Sequence, residues 1–345
     1  MSDLPPSIAE LIDKPQYPVT ANFPVELGYS FNTLAATENG NPLYWDPAVA
    51  DELTGGMTVP PTTLSLWMRP HRWEPGAEEE LVALKVHFDL KEMLELPEAI
   101  MSDNTLILHE PVRPGDVISH HQVLRSVSDE KTTKLGSGRF WSIDIVYTNQ
   151  DDELVGIESY TGFGYSKSLR DRDASGVALA QTPSPAARPS PPPDGERLPE
   201  LIYDVTATTV VLGALASRDW RPMHHDFKFA TERNGTQDIF LNTPNLAAWF
   251  ERYITDWTGP RGRIGRMTFR MRDSIFPDDR MVFTGTVTGV TTDDQGCAWA
   301  ELDITVAVRN DGEPERLCCT CNARVAIPTD ESDNPWARKG QNWTP

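Results

Sequence analysis

The chain carries one run of residues and its near-copy, about 180 positions apart, with Pro, Asp and Ala at matching places. Thr37-Glu38-Asn39-Gly40-Asn41-Pro42-Leu43-Tyr44-Trp45-Asp46, leading to Ala50, returns as Ser217-Arg218-Asp219-Trp220-Arg221-Pro222-Met223-His224-His225-Asp226, leading to Ala230. The repeat extends further. Val59-Pro60-Pro61-Thr62-Thr63-Leu64-Ser65-Leu66-Trp67 parallels Leu241-Asn242-Thr243-Pro244-Asn245-Leu246-Ala247-Ala248-Trp249, and Val112-Arg113-Pro114-Gly115-Asp116 parallels Ile275-Phe276-Pro277-Asp278-Asp279. Each half closes on long alternating segments, 140–149 and 298–310. A chain built this way folds as two copies of one unit, and 345 residues suit two domains. The boundaries expected are 1–166 for the first copy, 167–199 for a Pro/Ser-rich linker, 200–330 for the second copy and 331–345 for a tail. The linker, with its run from Thr182 to Pro193, lacks the apolar surface to order itself and reads as an extended tether.

Within each half the pattern predicts a short strand leading into the repeated turn, a short helix, one longer helix, and then three or four strands. In the second half the longer helix is expected to have Thr243 as N-cap and Pro244 at its first position. Leu246, Trp249, Phe250, Tyr253, Ile254 and Trp257 share one face at helical spacing, and Gly259-Pro260 ends the element. The later segments alternate, as at Trp299, Leu302, Ile304 and Val306, and read as antiparallel strands. One apolar-striped helix and a long antiparallel sheet bury both faces most simply if the sheet curls round the helix, an α+β arrangement.

The two copies differ in chemistry. The second places Asp219 and His224 five residues apart across a proline, where a carboxylate and a neutral imidazole share one water molecule. That equipment suits adding water to a double bond or removing it. The first copy has Asn39 and Tyr44 at those positions, which form no general acid–base pair near neutral pH.

Bulk properties exclude several classes. A net charge of −20 with a pI near 4.7 argues against a nucleic-acid partner. No apolar run nears the roughly 18 residues that span a bilayer, and the first residues have no secretory pattern, so a cytoplasmic location without membrane attachment is expected. Cys318-Cys319-Thr320-Cys321 is too tight for zinc, and His120-His121 has no spaced partner, so no metal is expected. No dinucleotide fingerprint or nucleophile elbow is present; Gly136-Ser137-Gly138-Arg139 reads as a hairpin.

At this point the chain resembles a known family. The stretch from Ser217 to Ala230 looks like the hydratase-2 signature of MaoC-like dehydratases, Ser/Thr-Gly-Asp-x-Asn-Pro-apolar-His-x5-Ala. The stretch from Thr37 to Ala50, with Gly55-Gly56-Met57-Thr58-Val59-Pro60-Pro61-Thr62, resembles the N-terminal MaoC-type dehydratase domain. The resemblance covers roughly residues 8–165 and 200–328. It implies a double hot dog, two curved antiparallel sheets each wrapped round a central helix, with a degenerate first copy and a catalytic second one. The sequence departs from the signature at two places: Arg218 stands for the family glycine and Arg221 for its asparagine.

The resemblance implies reversible hydration of a trans-2-enoyl-CoA to a (R)-3-hydroxyacyl-CoA, without a cofactor other than the coenzyme A of the substrate. Asp219 and His224 would be catalytic, against the alternative of an Asp–His bond that only fixes the turn. Thr243 N–H is the candidate donor to the thioester oxygen, with Asn242 and Arg221 as orienting residues. Arg261, Arg263, Arg266 and Arg270, with Arg272, form the basic cluster of an acidic chain and are candidates for the coenzyme A phosphates, against a solvated face. His225 is expected to point away, and Asp226 to cap a short helix. A bulky or steroid-derived acyl group fits a degenerate first copy. The chain is read as an internal pseudo-dimer, with homodimer and heteromer with another hot-dog subunit both open. The competing reading is a non-catalytic acyl-binding or scaffold subunit of a heteromeric hydratase. A thioesterase would need a carboxylate on the central helix facing the substrate, and Glu251 and Asp256 lie off the apolar stripe.

Overall fold

The structure, a computed structural model, describes residues 4–72, 75, 83–167 and 191–345. Most of the expected linker, residues 168–190, lies outside them. Among the described residues one antiparallel sheet of eleven strands runs through both halves. The first half supplies β1 (Pro15–Thr20), β2 (Glu98–Leu108), β3 (Ser119–Val127), β4 (Lys131–Thr132), β5 (Gly136–Thr148) and β6 (Leu154–Lys167). The second supplies β7 (Arg197–Asp204), β8 (Arg263–Met271), β9 (Arg280–Thr292), β10 (Ala298–Val308) and β11 (Arg316–Ile327). The order across the sheet is β1-β3-β5-β6-β2-β8-β11-β10-β9-β7, with β4 beside β5. Outward from the β2–β8 seam the two directions repeat each other strand for strand. The duplication in sequence is therefore a pseudo-twofold axis in space, passing through a seam registered from Asp103↔Arg270 to Ile107↔Arg266. This is the double hot dog. The ends of the expected linker are themselves strand, since β6 runs to Lys167 and β7 starts at Arg197.

The central helix of the second half spans Thr243–Thr258. Its N-cap is Asn242, with extended backbone, so the helix starts one residue earlier than Thr243 as cap would place it. Gly259, at φ 69°, stops it. The predicted apolar face is buried, and each of its large side chains contributes about 1.5–3 kcal/mol. The helix is buried on its other sides as well. Glu251, off the apolar stripe as expected, is 1% exposed and Arg252 0%, because this second face of the helix packs on the first half. The counterpart helix in the first half is only Leu64–Met68. Extra residues follow it and form the helix Lys85–Met93, which covers Trp141.

Each half has a further helix that the repeat pattern did not predict, Leu27–Ala36 and Ala207–Ala216, placed between the first strand and the turn motif. Ala207-Thr208-Thr209-Val210-Val211 is rich in β-branched residues and reads as strand. A capping box between Thr206 and Thr209 and the burial of Val210, Gly213 and Ala214 override that propensity. Gly213 is required by close approach: a Cβ there would lie 2.4 Å from Asn245 Cγ of the central helix.

Residues 331–345 are packed down. Trp336 and Trp343 are buried, and Trp343 Nε1 donates to the Leu108 carbonyl at 2.8 Å. No helix among the described residues is long and apolar enough to cross a membrane.

Two histidines are held neutral inside this frame. Burial pulls His87 down to about 3, and its Nδ1 accepts from Trp141 Nε1 at 3.1 Å. Burial pulls His120 down to about 4. The unfolded chain takes up these protons near pH 6.5, before the folded one does, so stability falls as pH drops below about 6.5. Each histidine contributes about 1.4 kcal/mol per pH unit in that window. Urea unfolding at pH 7 and pH 5 is expected to show a clearly lower midpoint at pH 5, with part of the slope removed in His87→Gln. Equal midpoints would contradict it.

Candidate active site

The turn motif begins where the helix Ala207–Ala216 ends. Ser217 closes that helix, and Arg218 takes φ 51°. Left-handed backbone at this position is what a glycine supplies without cost, and a non-glycine residue there carries about 1 kcal/mol of strain. The first copy repeats the geometry at Glu38, φ 50°. The Arg218 side chain leaves the pocket: its guanidinium lies 4.3 Å from the centre of the Phe23 ring, and Nη2 is 3.2 Å from His71 Nδ1.

Beyond the turn, Pro222 opens a 3-10 turn, Pro222–His224. It returns the His224 ring toward Asp219, and Nε2 lies 3.9 Å from Asp219 Oδ2. A water about 2.8 Å from each atom spans such a gap at an angle near 90°. His224 Nδ1 is 2.8 Å from the Phe240 carbonyl, an acceptor only, so Nδ1 carries the hydrogen and Nε2 presents its lone pair to Asp219. The side chains keep 11% and 8% of their surface exposed, enough for water to reach an otherwise closed pair.

Asp219 is fixed on all sides. Asn242 Nδ2 donates to Oδ2 at 2.9 Å and to Ser217 Oγ at 2.7 Å. The Arg221 backbone N–H donates to Oδ1 at 3.3 Å, and Arg69 Nη1 lies 3.6 Å from Oδ1. Burial alone would raise the carboxyl; Arg69, His224, the Asn242 amide and the Arg221 N–H outweigh it and hold Asp219 below the usual carboxylate range. Burial also dominates at His224 and lowers it, against the opposing pull of Asp219 and the Phe240 carbonyl. The pair is a charged carboxylate beside a neutral imidazole at neutral pH, across a gap that one water would bridge.

Asn242 positions Asp219 through its side chain. Thr243 starts the central helix, where first-turn N–H groups have no intrahelical acceptor. Arg221, expected as an orienting residue, meets Asp219 through its backbone N–H and not through its side chain, whose guanidinium lies 5.3 Å from the Phe88 ring centre. His225 is exposed, and Asp226 caps the following turn by accepting from Phe229 N–H at 3.0 Å.

The arginine cluster is not gathered at the pair. Arg261 and Arg263 lie past the C-terminal end of the central helix, about 24 Å along its axis from Asn242. Arg263 is 2% exposed and donates to the carbonyls of Pro335, Arg338 and His109 while stacking 3.6 Å from the Trp343 ring centre. It is a structural anchor for the C-terminal stretch, and its assignment to phosphate is corrected. Arg261 pairs with Glu52 at 3.4 Å, and Arg270 with Asp103 at 2.5 Å. Arg266 and Arg270 are exposed on one face of β8. No group of three or more metal-ligating side chains occurs among the described residues.

Three neighbours of the pair went unread in the sequence: Arg69, Ser217 and the Phe240 carbonyl. For Arg69 a signal existed, since it falls two residues after Trp67 as Glu251 falls two after Trp249.

A family profile described as FAS1-like, dehydratase domain region, matches residues 32–158. The 3-oxo-4,17-pregnadiene-20-carboxyl-CoA hydratase beta subunit of Mycobacterium tuberculosis is 38% identical over 96 residues, which are 28% of this chain and 74% of that protein. The chain belongs to the MaoC-like dehydratase family. Its chemistry is that of the hydratases and dehydratases. A probable enoyl-CoA hydratase alpha subunit of Thermomonospora curvata is 30% identical over 177 residues, covering 49% of this MaoC-like chain and 51% of that protein. Among solved structures, a MaoC-like dehydratase superposes with a TM-score of 0.65 at 16% identity, over 92% of this chain and 98% of that one. A conserved Mycobacterium tuberculosis protein described as having a double hot-dog fold gives 0.58 at 12% identity, over 91% and 96%. At these identities the structural likeness establishes the fold.

Proposed function

We propose that the chain is an acyl-CoA hydratase/dehydratase that adds water reversibly to a trans-2-enoyl-CoA to give a (R)-3-hydroxyacyl-CoA, with no cofactor beyond the coenzyme A of the substrate. The observation that carries this is the Asp219–His224 pair, with Nδ1 pinned to the Phe240 carbonyl and Nε2 facing the carboxylate. In the hydration direction, water bound between the two gives a proton to Nε2 as its oxygen bonds to Cβ. The same proton then passes to Cα, so one water is consumed and nothing is left on the protein. Negative charge building on the thioester oxygen is met by the N–H of Thr243 at the positive end of the central helix. The name of the mycobacterial relative supports a bulky, steroid-derived acyl group.

The test is direct. Purified chain is mixed with crotonyl-CoA, then with longer and ring-bearing enoyl-CoA esters, and the ultraviolet absorbance of the conjugated thioester is followed. Loss of absorbance on at least one ester is expected. A second reading, a subunit of a heteromeric hydratase, is favoured by one observation: both curated relatives are named as subunits. Activity that appears only after a second hot-dog chain is added would support it. A chain inert on every ester in either setting, though folded, would overturn the hydratase reading.

A further inference from the structure

Three consecutive residues of the first half rest on three consecutive residues of the second-half motif. Arg69 Nη1 lies 3.6 Å from Asp219 Oδ1, the Pro70 carbonyl accepts from Trp220 Nε1 at 3.3 Å, and His71 Nδ1 meets Arg218 Nη2 at 3.2 Å. In the repeat that aligns Trp67 with Trp249, position 69 corresponds to position 251. Glu251 reaches the other way: it accepts from Tyr44 Oη at 2.7 Å and from Thr62 Oγ1 at 2.5 Å. Tyr44 holds the place of His224 in the first-half motif. The side chain at one equivalent position, just past the short helix in the first half and within the central helix in the second, thus goes to the motif of the other half. A cation goes to the copy that keeps the acid, and an anion goes to the copy that offers only hydroxyls. The reverse assignment would set two carboxylates together at Asp219, a repulsive arrangement in a buried site.

We propose, resting on the hydratase reading above, that Arg69 is a positioning residue: from the first half it fixes the Asp219 carboxylate for its work on water, so the copy that lacks an acid–base pair is a working part of the site. The surroundings leave this role open to it. Arg69 keeps 13% of its side chain exposed, and its Nε, buried, has no hydrogen-bond partner. The other carboxylate acting on it, Glu158 of β6, is already hydrogen-bonded by Tyr160 Oη at 2.5 Å, Tyr147 Oη at 3.0 Å and Asn104 Nδ2 at 3.0 Å. Asp219 itself faces Arg69 from the first half, His224 and the Arg221 N–H from its own motif and Asn242 from the helix cap, so Arg69 is the permanent full charge among its neighbours.

The experiment uses the full chain with Arg69→Met, Arg69→Gln and Arg69→Lys. Hydration of crotonyl-CoA, or of the best ester found, is measured across pH. The Asp219 carboxyl is titrated by carbon NMR, with its signal assigned by its loss in Asp219→Asn. Arg69→Met is expected to lower kcat at least tenfold with KM changed less than about threefold, and to move the Asp219 titration upward by about one pH unit. Arg69→Lys, which keeps the charge, is expected to regain most of both. If Arg69→Met does not fold, Arg69→Gln, close in size and uncharged, is read in the same way. A folded uncharged variant with normal kcat and an unmoved Asp219 titration would overturn the proposal. The NMR arm needs no turnover. A wild-type chain without hydratase activity whose Asp219 titration still responds to Arg69 would sink the hydratase reading and keep the contact. An active wild type with indifferent Arg69 variants would sink this inference alone.

Discussion

Asp219→Asn and His224→Ala are each expected to lower kcat/KM for hydration by about 10²–10⁴-fold. The first removes the charge that Arg69, Asn242 and the Arg221 N–H are arranged to hold, and puts an amide donor where water needs an acceptor. The second removes the Nε2 lone pair while leaving the carboxylate in place. The two losses should be far from additive in the double variant, because both residues act on one water. The pH profile follows from the directions of the shifts. Burial keeps His224 neutral to lower pH than an ordinary imidazole, so activity should hold through neutrality and fall only below about pH 6.5. Near-ultraviolet circular dichroism checks that each variant is folded. A folded single variant that retains more than about a tenth of wild-type activity would remove the pair from the mechanism.

Arg263→Ala is expected to cost about 3 kcal/mol and roughly 5 °C in Tm, with little change in KM among molecules that remain folded. Burial pulls this guanidinium down to about 10, and three carbonyls satisfy it in compensation. Truncation strands those carbonyls and opens a gap beneath Trp336 and Trp343. Arg263→Lys should be intermediate, because an ammonium cannot copy the planar fork. Thermal unfolding with substrate kinetics separates the possibilities: a raised KM at unchanged Tm would return Arg263 to phosphate binding.

Much of the architecture was legible because it is written twice. The repeated Pro, Asp and Ala positions gave the pseudo-symmetry, and the spacing from Leu246 to Trp257 gave the central helix. The helices Leu27–Ala36 and Ala207–Ala216 were not legible; in the second, a β-branched run hides a helix that depends on its Thr206 cap and on tertiary packing. At the site, Asp219 and His224, five residues apart in sequence, lie 3.9 Å apart, and Asn242, read beside them only as an orienting residue, donates to Asp219. Arg263 misled because a run of arginines reads as a basic surface, and nothing local says that one of them will be roofed by two tryptophans some 70–80 residues later. Arg69 was hidden for a related reason: its partner lies 150 residues away in the other copy.

The mirror-like strand order has a consequence for heredity. A copy without reactive groups of its own is free to drift, yet here its strand β2 pairs with the side of β8 that faces away from β11, and its helix end touches the working motif. Either half changes at the expense of the other, so the two are bound to evolve as one. Were the gene ever broken between β6 and β7, its products would have to be made together and find each other again.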